Sequence, residues 1–181
     1  MPVFTTLLLG HLVADFPLQT NRLFQLKAKN IWGLLAHVAV HVGLTALLLQ
    51  APLRDWGVLL FLGSTHLAID WIKLRWPTTR QAPSFLVDQV AHVAVLGLIT
   101  LARPGLAVVT LPGWLLGLGL LGVLVTAVLM FLWVLANDLR ETVPAGSPRV
   151  EWAQQSMFVM SQRIGRVVLA SLVLAWIMVI L

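Results

Sequence analysis

The chain has 181 residues, of which 59% are hydrophobic and 10% charged, with a net charge of +5 and a mean hydropathy of +0.92. A soluble domain carries roughly 25% charged residues, so this composition argues against a water-soluble fold and for a membrane protein of one domain. The absence of cysteine and tyrosine excludes thiolate metal sites, disulfides, thiol nucleophiles and phenolic acid–base chemistry.

The basic excess belongs in loops that meet anionic lipid headgroups, and no nucleic-acid partner is expected. The first apolar segment, about Pro2 to Gln19, is near the lower limit for a membrane span. It has neither a basic n-region nor a small-residue cleavage site, and is read as part of the mature chain. The stretch Asn21 to Asn30 is polar and basic, which predicts a loop or a short interfacial helix. Segment two runs from about Ile31 to Leu49, and Gln50 to Asp55 forms a short turn. Segment three runs from about Trp56 to Leu74. Ser84 is the expected N-cap of segment four, which reaches about Ala102.

A Pro/Gly-containing connection, Arg103 to Gly113, leads to segment five, about Trp114 to Ala136, which has no ionisable group. A long polar loop is expected from Asn137 to about Ser156, broken by Pro144, Gly146 and Pro148. Segment six, about Met157 to Leu181, carries Arg163 and Arg166 near its start, where they can snorkel to the interface. The expected fold is therefore an all-α, polytopic bundle of about six transmembrane helices. Residues 1–102 would form a four-helix core, and 103–181 would add two helices and a cytoplasmic loop.

Charge sets the expected orientation. Loops after segments one, three and five, with their flanks, hold ten of the twelve basic residues, against Arg54 and Arg103 on the other side. By the positive-inside rule both termini lie outside the cytoplasm, in a bacterial inner (cytoplasmic) membrane. Trp32, Trp56, Trp76, Trp114, Trp133 and Trp176 fall near segment ends, as an aromatic belt requires.

Four of the segments carry a polar pair spaced i, i+4: His11 and Asp15, His37 and His41, His66 and Asp70, Asp88 and His92. That spacing puts both members on one helix face, about 6 Å apart along the axis. The set contains all five histidines and three of the five aspartates. The order is His then Asp in segments one and three but Asp then His in segment four, which runs the opposite way. Antiparallel packing thus stacks a layer of Asp15, His37, Asp70 and Asp88 beneath a layer of His11, His41, His66 and His92. An ionised Asp at bilayer depth costs roughly 2.5–3.5 kcal/mol on insertion scales, so three together require partners. The spans contain no buried cation to serve, because Lys73 stands at a segment end.

Imidazole with carboxylate suits Zn, Fe or Mn. Eight candidate ligands suit two ions, as in di-metal carboxylate bundles, with some of the eight orienting a ligand imidazole instead. A metal-free packing network and a proton relay are the bland alternatives, and the adjacent aspartates weigh against haem. Asp15, Asp70 and Asp88 are the catalytic candidates. Lys73, Gln19 and Gln89 are the substrate-binding candidates. Lys73 can receive a phosphate or carboxylate or simply snorkel, Gln19 and Thr45 can extend the polar face, and Gln89 can bond a neighbouring helix. Gly63, Gly117, Gly119 and Gly122 read as packing residues.

These residues resemble a bacterial integral-membrane family catalogued as domain of unknown function 3307. The matching pieces are His11-Leu-Val-Ala-Asp15-Phe-Pro-Leu-Gln19, the His37 segment, His66-Leu-Ala-Ile-Asp70 with Lys73, and Asp88-Gln-Val-Ala-His92, within about the first hundred residues. The resemblance implies an active core in the first four segments and no particular reaction. More loosely, the H-x-x-x-D and H-x-x-x-H pieces are similar to membrane-bound metal-dependent hydrolase-like families.

The expectation is a membrane metalloenzyme that hydrolyses a lipid or lipid-linked phosphate or ester from the cytoplasmic leaflet. A di-iron oxidoreductase, a metal-ion or proton transporter, and a metal-stabilised scaffold are the alternatives. Membrane lipids, and a second copy docked through the last two helices, are the expected partners.

Overall fold

The computed structural model describes residues 2–140 and 147–180. Among these the chain is all-α, with seven helices: α1 (Pro2–Asp15), α2 (Asn21–Lys29), α3 (Ile31–Leu48), α4 (Trp56–Arg75), α5 (Gln81–Ala102), α6 (Gly113–Arg140) and α7 (Pro148–Ile180). The helix α1 is the axis of the bundle, with ten of its fourteen residues buried and α3, α5 and α6 packed around it.

Fourteen residues rise only about 21 Å, short of the roughly 30 Å hydrocarbon core. Of the about six spans expected, five helices, α3 to α7, are long and apolar enough to cross a membrane, and the first, already short in sequence, is the shorter apolar helix α1 that they surround. The protein is a multi-pass membrane protein. The first helix stops at Asp15, four residues before the expected end, because Pro17 has no N–H to continue the ladder. The Leu18 N–H instead bonds the Val13 carbonyl at 3.0 Å.

Of the two readings for Asn21–Asn30, the helix is the one found. The Thr20 side chain accepts from the Leu23 N–H and caps α2. Asn30 both ends α2 and caps α3, its Oδ1 accepting from the Gly33 N–H at 2.8 Å. This single-residue corner folds α2 back against α3. At the corner, a Cβ on Gly33 would fall inside the Leu26 carbonyl, so α2 can lie this close only over glycine. No residue of α2 is buried, and Phe24 and Leu26 on it and Ile31 and Trp32 at the start of α3 are exposed, as suits an interfacial helix.

Two other boundaries differ from expectation. The helix α5 begins at Gln81 rather than after Ser84, because Asp138 reaches over from α6. Its carboxylate accepts from the Gln81 and Ala82 N–H groups at 2.8 and 2.7 Å, supplying the cap that Arg80 lacks. The expected long loop is mostly helix: α6 continues to Arg140, and α7 starts with Pro148 in the first-turn position that tolerates proline. The breakers Pro144 and Gly146 lie outside the described residues. Gln154 on α7 donates to Asn137 on α6 at 2.6 Å.

The last two helices pack on each other and on α1 through small residues. A Cβ on Gly119 would meet Leu172 and Leu9, and one on Gly122 would meet Val168. Gly63 is similarly filled by Val42, whereas Gly117 faces open space. At the end of the bundle remote from α2, Leu49 and Val108 form a β-bridge, and buried Asp55 accepts from Arg103 at 2.6 Å. Val3, Leu7, Leu62, Leu96 and Ile99 form an apolar plug beneath this closure. Trp32, Trp56, Trp76 and Trp114 are each more than 60% exposed near helix ends, the distribution of an interfacial belt.

Gly33→Ala is expected to cost about 1–3 kcal/mol through overpacking against immovable backbone and to lift α2 from α3. Thermal unfolding in detergent, with protease susceptibility of the Lys27–Asn30 segment, reads both effects. An unchanged melting temperature would mean that the corner is not tightly packed.

Candidate metal centre

The four pairs converge as their spacing demands. Each stands on the inward face of its helix, and all eight side chains are buried. The contacts of all five imidazoles within the cluster run through Nε2. His41 Nε2 is 3.0 Å from Asp15 Oδ1, and His37 Nε2 is 3.3 Å from the same oxygen. His37 also lies 3.5 Å from Asp70 Oδ2 and 3.2 Å from His66 Nε2. His66 Nε2 faces Asp70 Oδ2 at 3.4 Å. His92 Nε2 stands 3.9 Å from Asp70 Oδ1 and 3.6 Å from Asp88 Oδ1. His11 Nε2 faces Asp15 Oδ2 at 3.4 Å. The rings are in mutual contact, with centroids 3.8 Å apart for His41 and His66 and 4.1 Å for His66 and His92.

Two groups of these residues could each hold a metal ion. Asp15, His37, His41 and His66 form one, His66, Asp70 and His92 the other, and in each the ligand atoms lie within 4.8 Å of one another. A tetrahedral ion with ligands at 2.0–2.1 Å separates neighbouring donors by about 3.3 Å, close to the 3.0–3.3 Å separations of His41 and His37 from Asp15 and of His37 from His66 in the first group. The donor set fits as well: neutral imidazole and carboxylate, no thiolate, at a junction shared through His66. Among the described residues, buried His11 Nε2, Asp70 Oδ1 and Asp88 Oδ1 make no hydrogen bond. His11 and Asp88 stand outside both groups, each beside one of them.

No lysine or arginine is expected within the spans to serve these carboxylates, and the cations that do serve them come from α2 and from the end of α4. Lys27, on α2, places Nζ 2.7 Å from Asp70 Oδ2, close but off the hydrogen-bonding direction. Lys73 donates to Asp88 Oδ2 at 2.8 Å. Both lysines enter from the α2 end, the first from a helix whose sequence shows only an amphipathic basic turn. Sequence reasoning passed over Lys27 because its partner lies two helices away and the corner at Asn30 decides where it points. Gln89 does bond a neighbouring helix, donating to Asp15 Oδ2 at 2.8 Å. Gln19 is no longer helical, yet its buried Oε1, without a hydrogen bond, belongs to the same region.

The site opens toward the α2 end into a cavity of about 290 Å³. Asp15, Gln19, Lys27, Lys73, Asp88 and Gln89 make its polar side, and Phe16, Phe85, Met130, Trp133 and Phe158 its apolar wall. Toward the other end, His11, His41, His66 and His92 surround a void of about 10 Å³ together with Thr45 and Thr65. This is the deeper four-histidine layer expected from the pattern, and Leu62, Val95 and Leu96 line its remaining side.

Removing one partner of a buried ion pair strands the other. Lys27→Met is therefore expected to destabilise the metal-free protein by about 3 kcal/mol, and Asp70→Asn added to it to recover most of that loss. Chemical unfolding of the wild type, both single variants and the double variant measures this coupling. Simple addition of the two single effects would show that Lys27 and Asp70 do not interact.

No curated protein and no solved structure matches the chain. A family model described as protein of unknown function (DUF3307) matches residues 3–113. Nothing in this match supports the looser likeness to metal-dependent hydrolases. The matched span takes in all four polar pairs, both lysines and the helices from α1 to α5, and it ends at the first residue of α6. Covering more than half of the sequence, it establishes that the chain belongs to the DUF3307 family.

Proposed function

We propose that this protein is a membrane metalloenzyme with two divalent ions in the His/Asp centre, and that it hydrolyses a lipid or lipid-linked phosphate or ester. The observation that carries this reading is the junction itself: two ligand groups joined at His66, beside a cavity that is polar on one side and apolar on the other. Asp15, His37 and His41 would hold one ion and Asp70 and His92 the other, with the single Nε2 lone pair of His66, common to both groups, completing one of them. Such ions supply an acidified water and Lewis acidity toward a phosphoryl or carbonyl oxygen.

The chain's own groups then have distinct work. Asp88 lines the cavity and leaves Oδ1 without a hydrogen bond, which suits it to take a proton from an attacking water. Gln89 and His41 fix both oxygens of Asp15. Lys73, held over the Phe85 ring at 5.8 Å, is placed to receive an anionic group. The basic excess of the loops supports the placement of the cavity toward the cytoplasm in a bacterial inner membrane.

A di-iron oxidoreductase is the second reading, favoured by the same mixture of carboxylate and imidazole from four helices. The apolar plug beyond the histidine layer weighs against a transport path.

Elemental analysis of protein purified without chelators tests the proposal. About two equivalents of Zn or Mn are expected, lost in a His66→Ala, Asp70→Ala variant, together with phosphate or acyl release from phospholipid. Iron would select the oxidoreductase. A metal-free wild type would end both readings in favour of a packing network or proton relay.

A further inference from the structure

Lys27 and Lys73 stand at two places at once. Each neutralises a carboxylate of the centre, at 2.7 and 2.8 Å, and each also lines the cavity. Asp70 Oδ2, the atom beside Lys27, is the oxygen that His37 and His66 also face at 3.5 and 3.4 Å. Lys27 therefore occupies a direction from which an ion held by those ligands would be coordinated. Two like charges on one buried carboxylate oxygen repel strongly at low dielectric.

Charge bookkeeping leads the same way. Asp15, Asp70 and Asp88 bring three negative charges, Lys27 and Lys73 two positive ones, so with neutral imidazoles the centre is one negative charge in excess. Any divalent ion reverses that sign, and the surplus positive charge faces a cavity with two ammonium groups on its wall.

We propose that this cavity binds an amphiphile with a phosphate or carboxylate head, and that Lys27, released from Asp70 when the centre is loaded, closes with Lys73 as its anion clamp. This rests on the metal reading given above. Lys27 already lines the cavity and has a four-carbon stem with which to swing from Asp70 into it. The hydrocarbon tail has a wall prepared for it in Met130 and Trp133 of α6 and Phe158 of α7. These helices lie beyond the span matched by the family model, so the head would be read by the family core and the tail by this chain's last two helices.

The test uses the full chain in detergent, with Zn²⁺ as the metal and a non-hydrolysable phosphonate analogue of phosphatidic acid as the lipid. Zn²⁺ is expected to raise affinity for this lipid about tenfold, to leave phosphatidylcholine unaffected, and to improve inorganic phosphate binding far less. Reductive methylation followed by mass spectrometry should find Lys27 slow to react in metal-free protein and fast once Zn²⁺ is bound. Lys27→Met should bind Zn²⁺ more tightly and lose the gain in lipid affinity. The lysine labelling is read on the wild type, so a poorly folded variant does not decide the matter. Stoichiometric Zn²⁺ with unchanged Lys27 reactivity and lipid affinity would overturn the exchange and leave the metal centre standing. Equal gains for phosphate and the lipid would overturn the amphiphile. Failure to bind any metal would remove both this inference and the reading beneath it.

Discussion

Three carboxylates buried within about a turn of one another, in a bundle meant for hydrocarbon, are the constraint to which the rest of the structure answers. An Asp at such depth costs several kcal/mol unless it is met by donors or cations. Here each is met differently: Asp15 by His41 and Gln89, Asp70 by Lys27 and a ring of imidazoles, Asp88 by Lys73. The helix repeat sets a His beside each Asp and brings His37 and His41 of α3 across to them, while the lysines come from the end of α4 and from α2. That requirement gives α2 its place. It lies against the end of the bundle and delivers one ammonium to the centre.

The short α1 follows from the same constraint. It carries two ligand candidates, and its burial on nearly every side lets α3, α4 and α5 bring their pairs around it. A helix so enclosed need not span the hydrocarbon, so it can stop at Asp15, before Pro17 and the polar turn that reaches the cavity. Beyond the histidine layer the chain closes with an apolar plug, the Leu49–Val108 bridge and the Asp55–Arg103 ion pair. The centre is therefore approached from one side.

The polar pairs were legible because an i, i+4 repeat stands out against uninterrupted apolar sequence, and its reversal between antiparallel segments shows which ends lie together. The features that were not legible all depend on contacts between helices distant in the chain. Lys27 meets Asp70 only because Gly33 lets α2 fold flat on α3. The start of α5 is set by Asp138, which no local N-cap rule could nominate. Met130, Trp133 and Phe158 look like any lipid-facing residues in sequence, and only the packing of α6 and α7 turns them toward the cavity. The end of α1 was readable in principle, since Pro17 stood in the motif, but the apolar run through Leu18 outweighed it.

A metal-free network explains this centre less well than it first promises. Each neutral imidazole has one N–H, yet His37 Nε2 has Asp15, Asp70 and His66 within 3.5 Å and can donate to only one of them. His11 Nε2, Asp70 Oδ1 and Asp88 Oδ1 are left buried without hydrogen bonds, each at a cost of about 1–3 kcal/mol. Packing alone would be served better by apolar side chains of the same volume, which often stabilise as well as or better than a buried ionic cluster. Converging lone pairs with too few protons between them are what an imidazole–carboxylate centre requires before an ion enters. That surplus of acceptors lies in and beside the two buried groups that could hold a metal ion.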